Sequence, residues 1–361
     1  MPRPLLALVL GVLALCALAT PAAAQDSDNS INLHHLYLPL DGRGFYVVDG
    51  ARTLRQGEVH LSLGYSHAHN PVEFGLSGDG RVRSLVRQLA MVDAGVAVGL
   101  LDGLSVGVAL PFVVDNDGRE LLDPGSRTRS GGVGALRVQV KYTLYDSLEP
   151  SEAEGEREAD ALELALAVQP FMTFHTGRAR DYLSDNEAPT GGASLLLELE
   201  LFERLRLGAS LGYEFVSSDI DFGDLDIRDR IRFGAAAELL LLRQRGPRRS
   251  KADSEPAEER AEERAEDGRP EDGGGAPRED EGSEEEEDAN PHTLGLGLEL
   301  YGWTDAGRPF HDERERPAEG LVYLRYRHAL GLQLRLGAGA GLNNGVGAPD
   351  ARYLASLGWT F

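Results

Sequence analysis

The chain has 361 residues, with 59 acidic against 36 basic side chains, a formal net charge of −23, 44 glycines and a single cysteine. So acidic a chain is not expected to bind nucleic acid. After the N-terminus no stretch reaches the roughly 18 uninterrupted apolar residues of a membrane helix, so entry into a bilayer requires a closed β-barrel.

The N-terminus carries an export signal. Arg3 precedes an apolar run from Leu5 to Leu18, and Ala22–Ala24 offers small side chains for a signal peptidase, so residues 1–24 are predicted to be a cleaved signal peptide. Lipidation at Cys16 is disfavoured, because the preceding residue is Leu15. A mature chain from residue 25 would contain no cysteine, which excludes disulfides and thiol chemistry.

Residues 25–54 are predicted to form an N-terminal segment that lies in the periplasm or enters a barrel as a plug. From there to the last residue, short stretches alternate apolar with small or polar residues, as in Val59, Leu61, Leu63 and Tyr65. The pattern predicts an all-β, closed antiparallel transmembrane barrel of about twelve strands, eight within 55–242 and four within 292–361. An even number of strands is typical of single-chain bacterial barrels.

The connections predict the direction of the strands, because periplasmic turns are short and external loops are long in this class. The tightest turns are Leu101–Gly103, Phe202–Arg204 and Leu330–Gly331. Both termini are therefore expected in the periplasm. The external loops are predicted at 67–86, 115–131, 176–190, 217–229, 303–319 and 343–350.

Residues 243–291 form a long acidic connection between strands eight and nine, on the predicted periplasmic side. Between Lys251 and Asp288 the sequence has 18 acidic and 5 basic residues and no aromatic one. Such a segment cannot bury a core and is expected to be disordered. It is a solubilising linker or a binding site for a cationic periplasmic partner. A basic patch precedes it, and its two expected contacts are anionic lipid head groups or the acidic run itself. The patch consists of Arg243, Arg245, Arg248, Arg249 and Lys251.

The predicted inward faces of the strands carry charges of both signs. The inward side chains of strands five to seven are mainly acidic and those of strands ten to twelve are mainly basic, so these groups are expected to pair across the lumen. A barrel of this size can be filled or open. The predicted lumen-lining residues are Glu58, Asp93, Arg137, Lys141, Glu163, Glu198, Glu200, Arg206, Glu214, Arg230, Arg232, Glu238, Glu299, Arg325, Arg327, Arg335 and Arg352.

No motif points to catalysis, a cofactor or a metal. Neighbouring histidines such as His34 and His35 diverge on an extended chain, and no carboxylate or cysteine spacing completes a ligand set around His60, His67 or His69. Neither a nucleophile elbow nor a phosphate loop is present. The chain is therefore not expected to be an enzyme.

The last strand ends on an aromatic residue and alternates strictly, with Tyr353, Leu357, Trp359 and Phe361 on one face. This tail resembles the C-terminal assembly signal of outer-membrane proteins. The resemblance implies recognition by the barrel-assembly machinery and location in the outer membrane, in contact with its lipid. The alternative is the terminal strand of a soluble β-sandwich.

The stretch from about residue 32 to 114 also resembles the barrel domain that opens certain OmpA-family envelope proteins. The residues that carry this resemblance are Gly44–Asp49, Ala51–Arg52, Tyr65–Pro71 and the Leu101–Leu104 turn. The resemblance implies membrane location and a barrel fold. It does not imply cell-wall anchoring, because no peptidoglycan-binding domain is visible.

Two classes of function remain open. The barrel is either a passive channel or transporter for a small solute, with selectivity set by the charged lumen, or a closed structural or surface-display barrel that binds partners through its loops or its acidic insert. The channel is the preferred hypothesis.

Overall fold

The computed structural model describes most of the chain in separate stretches. These are residues 36–75, 82–118, 131–147, 162–174, 190–202, 204–215, 220–222, 225–227, 229–243, 292–311 and 316–361. The predicted signal peptide and nearly all of the acidic insert lie outside the described residues, and Arg243 is the only member of the basic patch within them.

Twelve antiparallel strands form the wall, and each pairs with the next along the chain. They are β1 (Val59–Gly75), β2 (Val82–Leu101), β3 (Leu104–Gly118), β4 (Leu136–Asp146), β5 (Glu163–Phe174), β6 (Thr190–Leu201), β7 (Leu205–Phe215), β8 (Arg230–Arg243), β9 (His292–Asp305), β10 (Ala318–His328), β11 (Leu332–Gly341) and β12 (Ala351–Thr360). A short strand, Gly132–Val133, adds to β3, and a hairpin joins Ile220–Phe222 to Leu225–Ile227.

The sheet closes because β12 pairs with β1, from Thr360 opposite His60 to Ala351 opposite His69. Two backbone hydrogen bonds between Val59 and Phe361 extend this seam. The predicted all-β fold, a closed antiparallel barrel, is therefore confirmed. We call the end with the short turns and the start of β1 the turn end, and the opposite end the loop end.

The first two strands are longer than the sequence predicted. The loop predicted at 67–86 is wrong in its extent, because β1 continues to Gly75 and β2 begins at Val82. Asn70 and Pro71 look like a turn in sequence, and Asn70 does adopt a left-handed φ of 50°. Pairing nevertheless continues beyond a register shift between His69 and Val72, since a bulge absorbs the irregularity without ending the ladder.

The wall has its apolar side outside and its polar side inside. On β9, β10 and β11, Leu298, Val322 and Leu336 are each more than half exposed. Leu298 and Leu336 have the buried charged neighbours Glu299 and Arg335, and Val322 lies between the buried Leu321 and Tyr323. A continuous apolar exterior of this kind is stable against lipid rather than water. Within the described residues, no helix is long and apolar enough to cross a membrane.

Candidate functional site: the filled lumen

Residues 36–58, which we call the lumen segment, run inside the barrel as far as Leu54 and pass along it three times, and residues 55–57 are exposed at the turn end. Tyr37 lies near the loop end, where its ring contacts arginine side chains of the wall. The chain then descends to Gly42 near the turn end, returns to mid-lumen at Val47, and descends again to Glu58 and β1. Phe45 and Tyr46 are wholly buried. The segment therefore fills the middle of the lumen.

Glu299 on β9 holds the upper bend of the lumen segment. Its carboxylate accepts hydrogen bonds from three consecutive backbone N–H groups, those of Tyr46, Val47 at 2.8 Å and Val48 at 2.9 Å. A turn in which the Phe45 N–H donates to the Val48 carbonyl presents these groups together. Convergent backbone N–H groups form a concave anion site, and here the anion is a side chain of the wall.

Arg52 of the lumen segment contacts an acidic cluster near the turn end. Its guanidinium lies 2.9 Å from a carboxylate oxygen of Glu200, 3.3 Å from Glu163, 3.6 Å from Glu198 and 3.7 Å from Asp146. One side chain of the segment thus offsets part of the negative charge of β4, β5 and β6. Charge pairing of this kind is strong only because the groups are largely removed from water.

Glu198 links the same part of the lumen segment to the wall more directly. It is wholly buried, accepts a hydrogen bond from the Ala51 backbone N–H at 3.0 Å, and pairs with Arg206 of β7 at 2.8 Å. Arg206 in turn donates to the Arg43 carbonyl at 2.9 Å. The buried carboxylate is therefore satisfied by both the wall and the segment.

The basic side of the lumen binds the segment through its carbonyl groups. Arg327 and Arg335 each donate to the Gly42 carbonyl at 3.2 Å, while Arg325 and Arg335 donate to the Gly44 carbonyl at 3.2 and 3.3 Å. The acidic strands and the basic strands, which were expected to pair across the lumen, are thus bridged by the lumen segment. The segment lies between them and offers a cation to one side and carbonyl oxygens to the other.

All the predicted lumen-lining residues point away from the lipid face, although their degree of burial differs. Half-buried are Glu58, Glu163, Glu200, Arg232 and Arg327. The others are buried, namely Asp93, Arg137, Lys141, Glu198, Arg206, Glu214, Arg230, Glu238, Glu299, Arg325, Arg335 and Arg352.

Several of these side chains form ion pairs with residues on the neighbouring strand or on the next strand but one. Arg325 and Arg206 both contact Glu238, and Arg232 lies 3.4 Å from Glu214. Arg352 pairs with Glu319 at 2.8 Å.

Four residues that form these lumen contacts were not predicted from the sequence: Glu319, Asp41, Asp49 and Arg52. Lys141, which is 1% exposed, pairs with Asp41 at 2.6 Å and lies 3.5 Å from Asp49. The acidic and basic residues of the lumen segment could not be placed from its sequence, because it lacks the two-residue period of a strand. Glu319 was assigned to the edge of a loop, although β10 begins at Ala318.

Inward-facing glycines make room for the side chains of the segment. A Cβ atom on Gly208 would lie 2.2 Å from a ring carbon of Phe45, and a Cβ atom on Gly64 would lie 2.0 Å from a methyl carbon of Leu38. Real atoms do not approach so closely, so a side chain at either position would require Phe45 or Leu38 to move.

Glu58 ends the lumen segment outside the membrane-spanning strands. Partial burial alone would raise the pKa of this carboxyl, but a hydrogen bond from the Arg55 backbone N–H and the charge of Arg43 outweigh it and hold the pKa below its usual range. Arg43 lies 2.6 Å from the Glu58 carboxylate. Glu58 is therefore ionised at neutral pH and secures the end of the segment next to β1.

Cavities lie on both sides of the lumen segment. The one near the loop end has a volume of about 70 Å³ and is lined by charged and aromatic residues, including Arg137, Arg230 and Trp303. The one at the turn end has a volume of about 730 Å³ and is lined in part by Asp41, Arg327 and Trp359. Among the described residues, space is therefore left on both sides of the lumen segment.

The four residues of the predicted assembly signal lie on the outer face of β12 and at its end. Tyr353, Leu357, Trp359 and Phe361 are between 48% and 62% exposed. The Trp359 indole N–H donates to the Leu330 carbonyl at 2.9 Å, at the level of the turn. An amphipathic ring at that level is typical of the aromatic girdle of membrane barrels.

The closed twelve-strand wall, the apolar exterior and the charged interior define an outer-membrane-type β-barrel. The chain is similar to the crystal structure of an outer membrane channel from Pseudomonas putida F1, with a TM-score of 0.50 and 15% identity over 86% of this chain and 98% of the other. A similarity at this identity shows the fold.

Lower TM-scores relate the chain to two further solved structures. NanC porin has a TM-score of 0.40 and 10% identity, over 84% of this chain and 98% of that chain. OccK1 from Pseudomonas aeruginosa has a TM-score of 0.30 and 10% identity, over the same shares of the two chains. No protein-family model and no curated protein sequence matches the chain.

Proposed function

We propose that this protein is a passive outer-membrane channel for a small solute, whose conductance is limited by the lumen segment. The observation that carries this proposal is the way the segment is held. Between the two cavities it contacts the wall through carboxylates, guanidinium groups and backbone polar groups, such as Glu299 with the Val47 N–H. Polar contacts can exchange with water, so small rearrangements of the segment can open a continuous path.

The proposed orientation follows the rule that short turns face the periplasm. The turn end, with the start of β1 and the acidic insert, then lies on the periplasmic side. Its surroundings are outer-membrane lipid, and the exposed aromatic residues of β12 are the proposed contact for the barrel-assembly machinery. A cationic periplasmic partner of the acidic insert remains a proposal from charge alone.

The resemblance to OmpA-family barrel domains is consistent with this location, but it does not identify the solute. Its quoted motifs Gly44–Asp49 and Ala51–Arg52 fall in the lumen segment, and Tyr65–Pro71 falls in β1. These residues contribute to filling and closing a barrel. We therefore restrict the proposal to a non-enzymatic barrel in the outer membrane.

A closed structural barrel is the second candidate. The burial of Phe45 and Tyr46 in mid-lumen favours it, because they form an apolar cluster with Tyr301, Leu321 and Tyr323 of the wall. Apolar packing of this kind resists rearrangement more than polar contacts do. The two candidates differ in whether ions cross the purified protein.

Conductance in a planar bilayer tests the proposal. The wild-type protein is expected to give small ohmic steps, and Arg52→Ala is expected to give larger steps because the acidic cluster near the turn end then loses its partner in the segment. Arg55→Ala is the matched control, since it removes an exposed arginine of the same segment. If all three folded proteins are silent, the channel is excluded and the closed barrel stands.

A further inference from the structure

Three arginines and three carboxylates line the loop-end cavity. The arginines are Arg137 of β4 and both Arg230 and Arg232 of β8. Glu214 contacts Arg230 at 3.9 Å and Arg232 at 3.4 Å. Glu319 pairs with Arg352, and Asp49 lies 3.5 Å from Lys141, which pairs more closely with Asp41. Among the described residues, Arg137 is therefore the cavity arginine without an ion pair.

Two arginines of this cavity share the same aromatic surfaces. The guanidinium carbon of Arg137 lies 4.0 Å from the ring centroid of Tyr37 and 4.3 Å from that of Phe171. The guanidinium carbon of Arg232 lies 4.8 and 5.8 Å from the same two centroids. Both rings attract cations through their faces and fix the two planar groups in place. Two like charges are thereby held close together, and the Glu214 carboxylate at 3.4 Å offsets the charge of Arg232 but not that of Arg137, which favours an anion beside Arg137.

Unused donors face the same cavity. Arg137 is only 5% exposed, yet its Nε and one Nη have no hydrogen-bond partner among the described residues. The side-chain nitrogen of Gln169, which is 1% exposed, is also without a partner within that part of the chain. A buried donor without an acceptor is costly, and buried donors that converge on one cavity indicate a ligand that accepts hydrogen bonds.

We propose that this cavity is a selectivity subsite that binds the carboxylate group of a small organic anion. Arg137 and Gln169 donate hydrogen bonds to it, and Arg232 and Arg230 supply charge. The inference rests on the proposed channel function and names the class of solute. A carboxylate fits the planar fork of a guanidinium in a bidentate manner. The volume of about 70 Å³ admits one such group rather than a whole sugar, and the aromatic faces suit an apolar remainder.

Ion selectivity in planar bilayers is the first measurement. In a gradient of potassium chloride, the reversal potential of the wild type is expected to show preference for chloride over potassium. Arg137→Gln and, independently, Arg232→Gln are expected to lower that preference by about two- to tenfold, the effect of removing one charge near a partly buried path. Arg204→Gln is the matched control, because it removes the same charge from the exposed turn between β6 and β7 and should leave the preference unchanged.

Competition identifies the chemistry of the ligand. Potassium acetate is expected to reduce the chloride current of the wild type more than that of Arg137→Gln. Arg137→Lys should keep the preference for chloride but lose much of the effect of acetate, since an ammonium group lacks the planar fork. Stronger reduction by inorganic phosphate than by acetate would overturn the assignment to carboxylates. An unchanged preference in both glutamine variants would overturn the site itself.

Binding without transport separates this inference from the channel function. Trp303 lies at the cavity under the guanidinium of Arg230, at 4.7 Å, and the second tryptophan of the chain, Trp359, is replaced by Phe to leave one reporter. Acetate is expected to change the fluorescence of Trp303 in this background, and Arg137→Gln should abolish the change. If the protein does not conduct but acetate still changes the fluorescence of Trp303, the channel function is excluded and the binding site stands. If the protein conducts and acetate does not change the fluorescence, the channel function stands and the binding site is excluded.

Discussion

The carboxylate of Glu299 accepts a hydrogen bond from the backbone N–H of Val47 at 2.8 Å, across 252 positions of sequence. The contact joins the lumen segment to a strand that follows the acidic insert. Because the neighbouring N–H groups of Tyr46 and Val48 donate to the same carboxylate, one side chain satisfies three buried donors. Those donors would otherwise remain unsatisfied inside the barrel.

Replacing this carboxylate should loosen the segment. Glu299→Gln retains the shape of the side chain but removes the charge and one acceptor oxygen, and is expected to cost about 1.5–3 kcal/mol, as for hydrogen bonds to charged groups. Single-channel conductance should rise, and protease should cut the segment more readily. Asp305→Asn is the control, because that buried carboxylate accepts a hydrogen bond from the Arg308 backbone N–H, outside the lumen segment. Equal conductance changes in the two variants would contradict a specific role of Glu299.

A methyl group on Gly208 should displace Phe45. Gly208→Ala places a Cβ atom where the Phe45 ring lies, so the lumen segment must shift even though the wall can still form. Increased conductance at unchanged heat-modifiability on a gel is the expected result. Gly131→Ala is a useful comparison, since that glycine adopts a φ of 90° and a Cβ atom there would meet no atom within 4 Å. It should weaken the barrel without changing conductance, and the opposite pattern would refute this account of the inward glycines.

A charged residue on the lipid face of β11 should destabilise the barrel most at the middle of the strand. Leu336→Arg is expected to lower the free energy of unfolding by roughly 2–4 kcal/mol, whereas Leu332→Arg, on the same face at the turn end, should cost about 0–1 kcal/mol. Chemical denaturation in lipid vesicles measures both. Arg335→Gln should affect the lumen segment instead, because Arg335 donates to the Gly42 and Gly44 carbonyls. Equal costs at the two leucines would mean that β11 does not span the apolar layer.

The last aromatic ring should matter for assembly more than for pairing. Phe361 exchanges two backbone hydrogen bonds with Val59, while its ring is 62% exposed. Phe361→Ala keeps those backbone bonds and removes the ring, and it should lower the amount of heat-modifiable barrel in the outer membrane nearly as much as deletion of the residue. Phe361→Tyr should restore assembly. Normal assembly of both the alanine variant and the deletion would remove the proposed role in recognition.

Residues 250–289 are predicted to be dispensable for folding, and they lie outside the described residues. Replacing them with a short Gly/Ser linker should leave the barrel intact, since loop-closure entropy changes slowly with length and favours the shorter connection slightly. Protease added to intact cells should spare this insert, and protease added after permeabilisation should cut it. Cleavage in intact cells would reverse the proposed orientation of every strand.

The wall of the barrel could be predicted from sequence because alternate residues of each strand face the lipid and the lumen and differ in polarity accordingly. On β11 the alternation of Leu334, Arg335 and Leu336 reports lipid and lumen in turn, and the turn at Leu330–Gly331 shows where the strand begins. The prediction was wrong at strand ends, as at Asn70 and Pro71, where a bulge resembles a turn, and at Glu319, which lies in β10. Local chemistry was sufficient for the wall because each strand pairs with its neighbours along the chain and turns one face to lipid.

The filling of the lumen could not be predicted in the same way. Phe45, Tyr46, Val47 and Val48 are a continuous apolar run without the alternation of a barrel strand, and they pack against inward residues of distant strands. Their conformation depends on contacts such as that with Glu299, far away in sequence, which no local period reveals. Glycine at inward wall positions such as Gly208 was the available signal, since a filled lumen requires space where the wall would otherwise carry side chains.

The three passes of the lumen segment constrain the order of folding. The segment precedes β1 in the chain, while the seam that completes the cylinder joins β1 to β12, the last strand. Once that seam has formed, a doubled-back stretch with the rings of Phe45 and Tyr46 would have to be threaded through a narrow cylinder. The segment must therefore lie between the strands before the first and last strands meet, so that the assembling sheet wraps around its own N-terminal part.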